Sequence, residues 1–442
     1  MRILDVYRYG HLVGQLRDDN GDVEFEYVPD TADPPPRPIS ASLPMDPRLH
    51  RGAQVSNFFG NLLPEGAARD ALARHYKVDD SDDVGFLTAI GAECAGALAV
   101  VPQGASLLPE DAPFWDRYSP IADEYELGQY IGALLAAPNA MFKGERTRLS
   151  LAGAQSKTAV ARFHGDPRIF RPKLGAASTH ILKFGDEPGK ERFDGIVYNE
   201  FYCSRLARAC NIAIRHVELL PYRTYRDGPL LHAFCIERYD RKLSIHHHPD
   251  APLHQVGRIH QEDFCQALGR PRTAKYEQQD GVTLRQMFEF CNDPERIAIP
   301  AAARRALLFL IIFNIIIGNR DSHAKNYSII RSGFKAELAP AYDLVCTQLY
   351  PDIDQEFPQR LGGALTMEQL GPEQLDAMAG DVLIRPAALR SELEAACKRM
   401  HAALATVDRE LKREDTPEAV FPIAAQISHC IKNNITDLKA RL

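Results

Sequence analysis

Residues 306–326 read ALLFLIIFNIIIGNRDSHAKN, an apolar run followed at once by a polar segment. Within the run Asn314 is the polar interruption, and the run ends at Gly318. It is shorter than the roughly 20 residues that a membrane-spanning helix needs, so it predicts a helix buried in a protein core. A packed helix that leads into a charged loop presents functional groups at a fixed place. We therefore expect residues 319–326 to carry the chemistry.

The polar segment places Asp321 and Asn326 five positions apart. An alternating stretch follows that predicts a hairpin over 327–338, and beyond it stands Asp343. Protein-kinase catalytic loops have the same order of Asp, Asn and, beyond a hairpin, a second Asp. In such a site Asp321 would accept the proton of an attacking hydroxyl, while Asn326 and Asp343 would hold Mg²⁺. The alternative is a turn that is rich in Asn and Asp for conformational reasons alone.

Upstream, a lysine lies in an apolar strand pattern, because Lys183 is the fourth residue of the sequence HILKF. Burying a lysine costs free energy unless its ammonium group meets a negative partner. A nucleotide phosphate would serve, and so would Glu200 at the start of the next predicted helix. The sequence leaves both interpretations open.

Residues 149–158 read LSLAGAQSKT and suggest a phosphate-binding loop. A Walker A motif is excluded, because the two positions reserved for glycine are Ser156 and Leu151. What remains is a loop of small residues whose backbone N–H groups can approach phosphates, with a tight turn as the simpler interpretation.

A strand pattern that runs into a polar linker, CIERYDR at 235–241, closes the sheet-like half of the chain. A two-lobed kinase would hold adenine and ribose at such a linker. The alternative is a charged strand end in which Glu237 and Asp240 pair with neighbouring arginines.

Composition bounds the class of protein. The chain has 442 residues, enough for two or three domains, and 59 acidic against 52 basic side chains give a net charge of −7. That negative net charge argues against a protein that binds nucleic acid through its overall electrostatic field. The nine cysteines are scattered and the first residues lack a secretory-signal layout, so we expect an intracellular protein without disulfides. The three histidines at 246–248 predict a solvated loop rather than a metal site, in a part after Asp240 that we expect to be mostly helical.

Together these segments resemble the HipA-type serine/threonine kinases, which are toxins of bacterial toxin–antitoxin modules. The resemblance covers nearly the whole chain, and the order and number of its motifs make it specific. The motifs are SASLP (40–44), FFGNLLP (58–64), SLAGAQSKT (150–158), THILK (179–183), NE (199–200), ERYDR (237–241), QED (261–263), KYE (275–277), DSHAKN (321–326) and YDL (342–344).

The resemblance implies an α+β, protein-kinase-like fold in two parts, an α/β N-terminal part and a mostly helical C-terminal part. It divides the chain into a HipA-type N-terminal subdomain at 1–110, an ATP-binding region like a kinase N-lobe at 125–245, and a helical lobe at 246–442. It also implies ATP and Mg²⁺ as cofactors and a cytoplasmic protein that does not associate with a membrane.

By position in the family's motifs, Asp321 matches the catalytic base, and Asn326 and Asp343 match the metal-binding pair. Ser150 matches the serine that the family autophosphorylates, and a phosphate there would expel the neighbouring loop by its charge. The resemblance further implies nucleotide contacts from Ala152, Gly153, Ala154, Gln155, Ser156, Lys157, Lys183, Glu237, Arg238, Tyr239, His323, Asn326, Tyr342 and Asp343.

Members of this family phosphorylate aminoacyl-tRNA synthetases, of which glutamyl-tRNA synthetase is the best-known target, and are neutralised by a small helix-turn-helix antitoxin, HipB. The resemblance therefore implies a growth-arresting kinase of the persistence type that reaches operator DNA mainly through its antitoxin. The residues around Asp321, and Ser156 where an acid is common, depart from the family pattern and leave the substrate undetermined.

Two alternatives belong to other classes. A catalytically idle co-repressor module would be favoured by replacement of Asp321 or Asp343, and neither is replaced. A small-molecule phosphotransferase of the aminoglycoside-kinase type has the same order of catalytic Asp, Asn and second Asp. The HipA-like N-terminal segment speaks against this class, because that segment has no function in such enzymes.

Overall fold

The computed structural model describes residues 1–29, 37–46, 49–107, 112–136, 156–173, 175–185, 193–248, 251–331 and 335–442, without the side chains of Ala67, Ala136 and 244–254. Contacts divide the chain into two compact units. The first comprises Met1–Asp186, Leu220–Glu262 and Gln266–Arg272, and the second comprises Glu187–Leu219, Asp263–Cys265 and Thr273–Leu442. The three-part division at 1–110, 125–245 and 246–442 has other boundaries and stays a proposal.

A five-stranded antiparallel sheet opens the first unit, in the order β4-β3-β2-β1-β5. Its strands are β1 (Arg2–Arg8), β2 (His11–Asp19), β3 (Asp22–Tyr27), β4 (His50–Arg51) and β5 (Leu98–Pro102). Alternating apolar residues such as Val6, Leu16 and Phe25 are fully buried, which covers one face of the sheet. The helices of this region are α1 (Ala53–Gly60), α2 (Gly66–Tyr76) and α3 (Asp83–Ile90).

The second sheet of the first unit has the order β10-β11-β9-β7, and a separate ribbon pairs β6 with β8. Its apolar core includes Ile131, Val160 and Leu182, so a helix packs on the sheet. The elements are α4 (Phe114–Arg117), β6 (Tyr118–Ile121), α5 (Glu124–Ala136), β7 (Lys157–Val160), β8 (Ile169–Pro172), β9 (His180–Lys183), β10 (Val217–Tyr222) and β11 (Leu231–Glu237).

The sequence prediction was wrong for the region directly after Asp240, where a loop in a mostly helical part was expected. It continues as an antiparallel hairpin of β12 (Arg241–His248) and β13 (Ala251–Arg258), followed by β14 (His260–Asp263), so the histidines at 246–248 lie in a strand and not in a loop. Leu243 lies opposite Val256 across the hairpin. Each strand carries few apolar residues and the run of histidines hides the alternation, so the backbone pairing is poorly marked in the sequence.

Helices dominate the second unit. They are α6 (Ile196–Ala209), α7 (Phe264–Ala267), α8 (Leu284–Asn292), α9 (Pro300–Ile317), α10 (Pro372–Asp381), α11 (Pro386–Leu411) and α12 (Val420–Arg441), with α7 crossing the boundary of the units. The hairpin predicted near residue 330 is present as β15 (Ser328–Arg331) and β16 (Glu337–Leu338). Short 3-10 turns stand at Glu277–Gln279, Ala324–Asn326 and Thr347–Leu349.

The apolar run at 306–318 forms the C-terminal part of α9 and ends at Gly318. By length and composition alone this helix could cross a membrane, but 61% of its 18-residue window is buried inside the protein. Leu307, Ile312 and Ile317 are almost wholly inaccessible. The burial agrees with the predicted core helix.

Candidate active site

The segment that follows α9 is fixed by hydrogen bonds around Asp321. Gly318 ends the helix with a φ of 72°, a conformation that glycine adopts without a steric penalty. The Asp321 backbone N–H donates to Asn319 Oδ1 at 3.1 Å, and Asn326 Nδ2 donates to the Asp321 carbonyl at 2.8 Å. The Asp321 side chain remains 49% exposed, so its carboxylate is open to a substrate.

Two hydrogen-bonded bridges join this loop to the segment that carries Asp343. Asn319 Nδ2 donates to the Asp343 carbonyl at 3.2 Å and to Asn314 Oδ1 at 3.1 Å. The Tyr342 hydroxyl donates to the carbonyl of Lys325 at 2.7 Å. The predicted base and the predicted metal-binding aspartate are therefore held in one network.

Asp343 has an unusual backbone conformation, with a φ of 52°. Residues other than glycine occupy the left-handed region rarely, although aspartate tolerates it better than most. A residue held in a sparsely populated region costs about 1–3 kcal/mol, and such residues cluster at functional sites. The backbone at Asp343 is thus typical of a position maintained for its chemistry.

The donor set suits Mg²⁺ that arrives with a nucleotide. No group of three or more His, Cys, Asp or Glu side chains suited to a metal ion occurs in the described residues. Mg²⁺ does not need one, because it is commonly held by one or two carboxylates together with phosphate oxygens and water. Since the amide nitrogen of Asn326 is used on the Asp321 carbonyl, its amide oxygen is the atom that can act as a ligand.

In the first unit, two predicted phosphate contacts are neighbours on adjacent strands. Lys157 lies directly opposite Lys183 in the pairing of β7 with β9, and the Phe184 N–H donates to the Ser156 carbonyl at 3.1 Å. The Lys183 side chain is buried, with its Nζ 5.9 Å from the centre of the Phe234 ring. The two predicted phosphate contacts are therefore adjacent in this sheet.

The remaining residues of the predicted phosphate loop lie outside the described residues. They are Ser150, Ala152, Gly153, Ala154 and Gln155. Lys183 belongs to the first unit and the buried Glu200 to the second, so the ion-pair alternative stays open.

The predicted adenine linker begins where β11 ends, at Glu237. Arg238 Nη2 lies 2.7 Å and Arg241 Nη1 2.9 Å from Asp240 Oδ2. Arg238 Nη1 and Arg241 Nη2 lie 3.6 Å and 3.2 Å from Glu93 Oε1. The Asp240–arginine pairs of the alternative interpretation are therefore present, and the guanidinium group of Arg238 is occupied by them.

Burial and close opposite charges shift the pKa values of the ionisable groups in this buried cluster. Burial would raise the pKa of Asp240, but the charges of Arg238 and Arg241 outweigh it, so the pKa lies well below its usual range. The pKa of Glu93 is lowered in the same way, against the effect of burial, chiefly by Arg258 and the same two arginines. Burial and the neighbouring Arg238 lower the pKa of Arg241 to about 10. The cluster is a structural element that fixes the linker.

Other predicted residues have defined contacts. The Tyr239 hydroxyl donates to Gln261 Oε1 at 2.8 Å, within the first unit. His323, within the loop 319–326, is buried. In the QED motif, Glu262 accepts a hydrogen bond from the Ala41 N–H at 3.1 Å.

The sequence analysis assigned no individual role to Tyr276 or to Asn319, although Asn319 belongs to the predicted loop 319–326. The Tyr276 hydroxyl donates to Asp321 Oδ1, and Asn319 forms the bridge described above. Asn314 is the signal that could have pointed to the network, because an amide inside an otherwise apolar run needs a buried partner. For Tyr276 the only signal was its place in the KYE motif, to which no role was assigned.

The fold and the order of its polar residues define a class. Antiparallel sheets joined to a mostly helical region, with Asp, Asn and a second Asp around a hairpin, are the elements of protein-kinase-like proteins. Comparison with known proteins gives the family within that class.

Residues 149–406 match the family described as the HipA-like C-terminal domain, and residues 4–101 match the HipA N-terminal domain. The putative kinase Y4mE of Sinorhizobium fredii is 36% identical over 373 residues, which cover 84% of this chain and 83% of that protein. The serine/threonine-protein kinase toxin HipA of Shewanella oneidensis is 31% identical over 396 residues, which cover 87% of this chain and 84% of that protein.

A solved Shewanella oneidensis complex of HipA, HipB and operator DNA contains a chain that is 26% identical to this one. The match has a TM-score of 0.78 and covers 99% of this chain and 97% of that chain. The chain belongs to the HipA family. The predicted family and the predicted kinase-like α+β fold are thereby confirmed.

Proposed function

We propose that this protein is an ATP- and Mg²⁺-dependent serine/threonine protein kinase and the toxin of a toxin–antitoxin module. The observation that carries the proposal is the network in which Asn319 and Tyr342 tie the loop of Asp321 to the segment of Asp343. A kinase needs its base and its metal ligands in one fixed arrangement. The family membership and the kinase names of two relatives support the same activity.

In this proposal, Asp321 accepts the proton of the attacking serine hydroxyl. Asn326 and Asp343 hold the metal ion through side-chain oxygens, and Lys157 and Lys183 bind phosphate oxygens. Bound ATP with Mg²⁺ supplies the phosphoryl group and neutralises the charge that develops during transfer. By the resemblance of their motifs, we propose the linker 237–239, His323 and Tyr342 as further nucleotide contacts.

For the substrate we propose a serine of a translation component, with glutamyl-tRNA synthetase or another aminoacyl-tRNA synthetase as the candidate. Phosphorylation of such a protein would halt growth in the cytoplasm. Autophosphorylation of Ser150 and a HipB-like helix-turn-helix antitoxin would each silence the kinase. The support is the family resemblance of the motifs and, for the antitoxin, the relative whose solved complex contains HipB and operator DNA. A net charge of −7 agrees with DNA contact mainly through that partner.

Transfer of labelled γ-phosphate from Mg-ATP tests the proposal, using purified protein with and without glutamyl-tRNA synthetase. Label on the synthetase would support both the activity and the target. Label on the protein itself, mapped to Ser150, would support the kinase and reject that target. Absence of label, from protein whose mass shows no phosphate, would favour a co-repressor that acts through its antitoxin.

Asp343→Ala should weaken Mg²⁺-dependent nucleotide binding by at least tenfold, because a carboxylate ligand of the ion is lost. Calorimetric titration of ATP at several Mg²⁺ concentrations measures the effect. Asp352→Ala, at an exposed position of the same unit, is the control. Unchanged Mg²⁺ dependence would remove Asp343 from the metal site.

Asn319→Ala should lower kcat about tenfold with a smaller change in the KM for ATP, because Asn319 holds the Asp321 backbone directly, whereas the segment of Asp343 keeps the hydrogen bond from Tyr342 to the Lys325 carbonyl. Asn434→Ala is a suitable control. Asn434 is also buried, and its amide donates to the Ile316 carbonyl at 3.1 Å and to Gln348 Oε1 at 3.0 Å. We expect it to lower the thermal midpoint without the loss in kcat, and equal kcat values for both variants would contradict the role of Asn319.

A further inference from the structure

Tyr276 is in direct contact with the proposed base. Its hydroxyl donates to Asp321 Oδ1 from a position 45 residues earlier in the chain. The His323 ring stands edge-on to the Tyr276 ring, with the centroids 5.1 Å apart and the planes at 86°. His323 Nε2 lies 3.9 Å from the same carboxylate oxygen. Two rings therefore surround the Oδ1 side of the base.

The backbone of Tyr276 is held on both sides. The carbonyl of the preceding Lys275 accepts from the Ala324 N–H at 3.2 Å, which ties it to the catalytic loop. The N–H of the following Glu277 donates to the Pro358 carbonyl at 2.9 Å. At Gly281 a Cβ atom would stand only 2.2 Å from the Tyr276 carbonyl oxygen, so the two segments pack without room for a side chain. The backbone of Tyr276 is thus held in place where its side chain contacts Asp321.

A half-exposed aspartate needs such a partner. The terminal torsion of aspartate is soft, so a carboxylate with 49% of its side chain exposed samples a broad range of orientations. A hydrogen bond to a charged group is stronger than a neutral one and directional. With Oδ1 occupied by the tyrosine hydroxyl, Oδ2 is the oxygen left to accept the proton of a substrate.

We propose that Tyr276 is a positioning residue for the catalytic base: its hydroxyl fixes the Asp321 carboxylate through Oδ1, so that Oδ2 meets the attacking hydroxyl. The inference rests on the proposed kinase function and gives the KYE motif a role in phosphoryl transfer. Tyr276 does not touch the substrate in this account, and it acts through Asp321.

The test is a double-mutant cycle on single-turnover phosphoryl transfer, using Tyr276→Phe, Asp321→Ala and the double variant. In the wild-type background, Tyr276→Phe should lower the rate about tenfold and leave the KM for ATP within about twofold, because it removes one orienting hydrogen bond. In the Asp321→Ala background the same change should have no further effect, because the group it positions is gone.

The matched control is Tyr202→Phe. The Tyr202 hydroxyl also donates to a carboxylate, Asp408 Oδ1 at 2.8 Å, in the same unit but on α6 and α11. It should lower stability and leave the transfer rate unchanged.

The possible outcomes separate the role of Tyr276 from the kinase proposal. A loss that persists in the Asp321→Ala background, an unchanged rate, or a faster rate in Tyr276→Phe would each overturn the inference while the kinase proposal stands. A wild-type protein that transfers no label to itself or to any synthetase would overturn both.

Discussion

Replacement of Asp321 by alanine should lower the rate of phosphoryl transfer by about 10²–10⁴-fold, the contribution typical of a positioned general base. Binding of ATP should change little, because the residues proposed to hold the phosphates, Lys157 and Lys183, lie on other elements. The change also leaves the local backbone in place, since Asn319 and Asn326 contact the main chain of Asp321 and not its side chain. Transfer of label under single-turnover conditions and calorimetric binding of ATP measure the two quantities separately.

Asp354→Ala is the matched control. Asp354 is an exposed aspartate of the same unit, and its Oδ1 accepts from the Glu356 N–H at 3.0 Å. The control should match the wild type in both measurements. Retained transfer in Asp321→Ala together with lost ATP binding would reverse the assignment and place Asp321 among the nucleotide contacts.

Replacement of Glu93 by alanine should destabilise the first unit by about 3–5 kcal/mol, the range for breaking a buried ion pair by removal of one partner. Glu93 is 2% exposed and lies within 4.0 Å of Arg238, Arg241 and Arg258. Without it, Arg258 would lose the carboxylate 3.9 Å away, and Arg238 and Arg241 would keep only their contacts with Asp240 within this cluster. The Ser178 N–H would also lose the acceptor that it meets at 2.9 Å.

The chain provides its own probe for this measurement. Trp115 is its single tryptophan and belongs to the first unit, so fluorescence in a urea titration follows that unit. The control is Glu124→Ala, which breaks the exposed pair of Glu124 with Arg223 at 2.9 Å in the same unit. Such a pair contributes about 0–1 kcal/mol. Equal unfolding midpoints for the two variants would show that the cluster contributes no more than a surface pair.

The sequence predicted those parts of the fold that have a local signal. The apolar run at 306–318 predicted a buried helix, the alternating stretch after Asn326 predicted a hairpin, and both elements are present. The hairpin of β12 and β13 was missed, because a solvated loop was expected at 246–248 in a mostly helical part of the chain. Its strands are held by backbone pairing that three consecutive histidines do not reveal.

The site shows the same division between local and distant information. The spacing of Asp321, Asn326 and Asp343 can be read from the chain, because the three lie close together in sequence on either side of one hairpin. The contact of Tyr276 with Asp321 spans 45 residues and has no periodic signature. Long-range hydrogen bonds of this kind depend on how elements pack, so an individual sequence does not reveal them. The roles of the other predicted residues stay proposals.

The two bridges to the segment of Asp343 have a consequence for inhibition. A compound that works by swinging Asp343 out of the site would have to break the hydrogen bonds from Asn319 and from Tyr342, each worth about 0.5–1.5 kcal/mol. That conformational cost would be subtracted from its binding energy. Compounds that bind the proposed nucleotide site without moving Asp343 would avoid the cost. For drug design, this network therefore favours compounds that bind with Asp343 in its present position over compounds that require Asp343 to move.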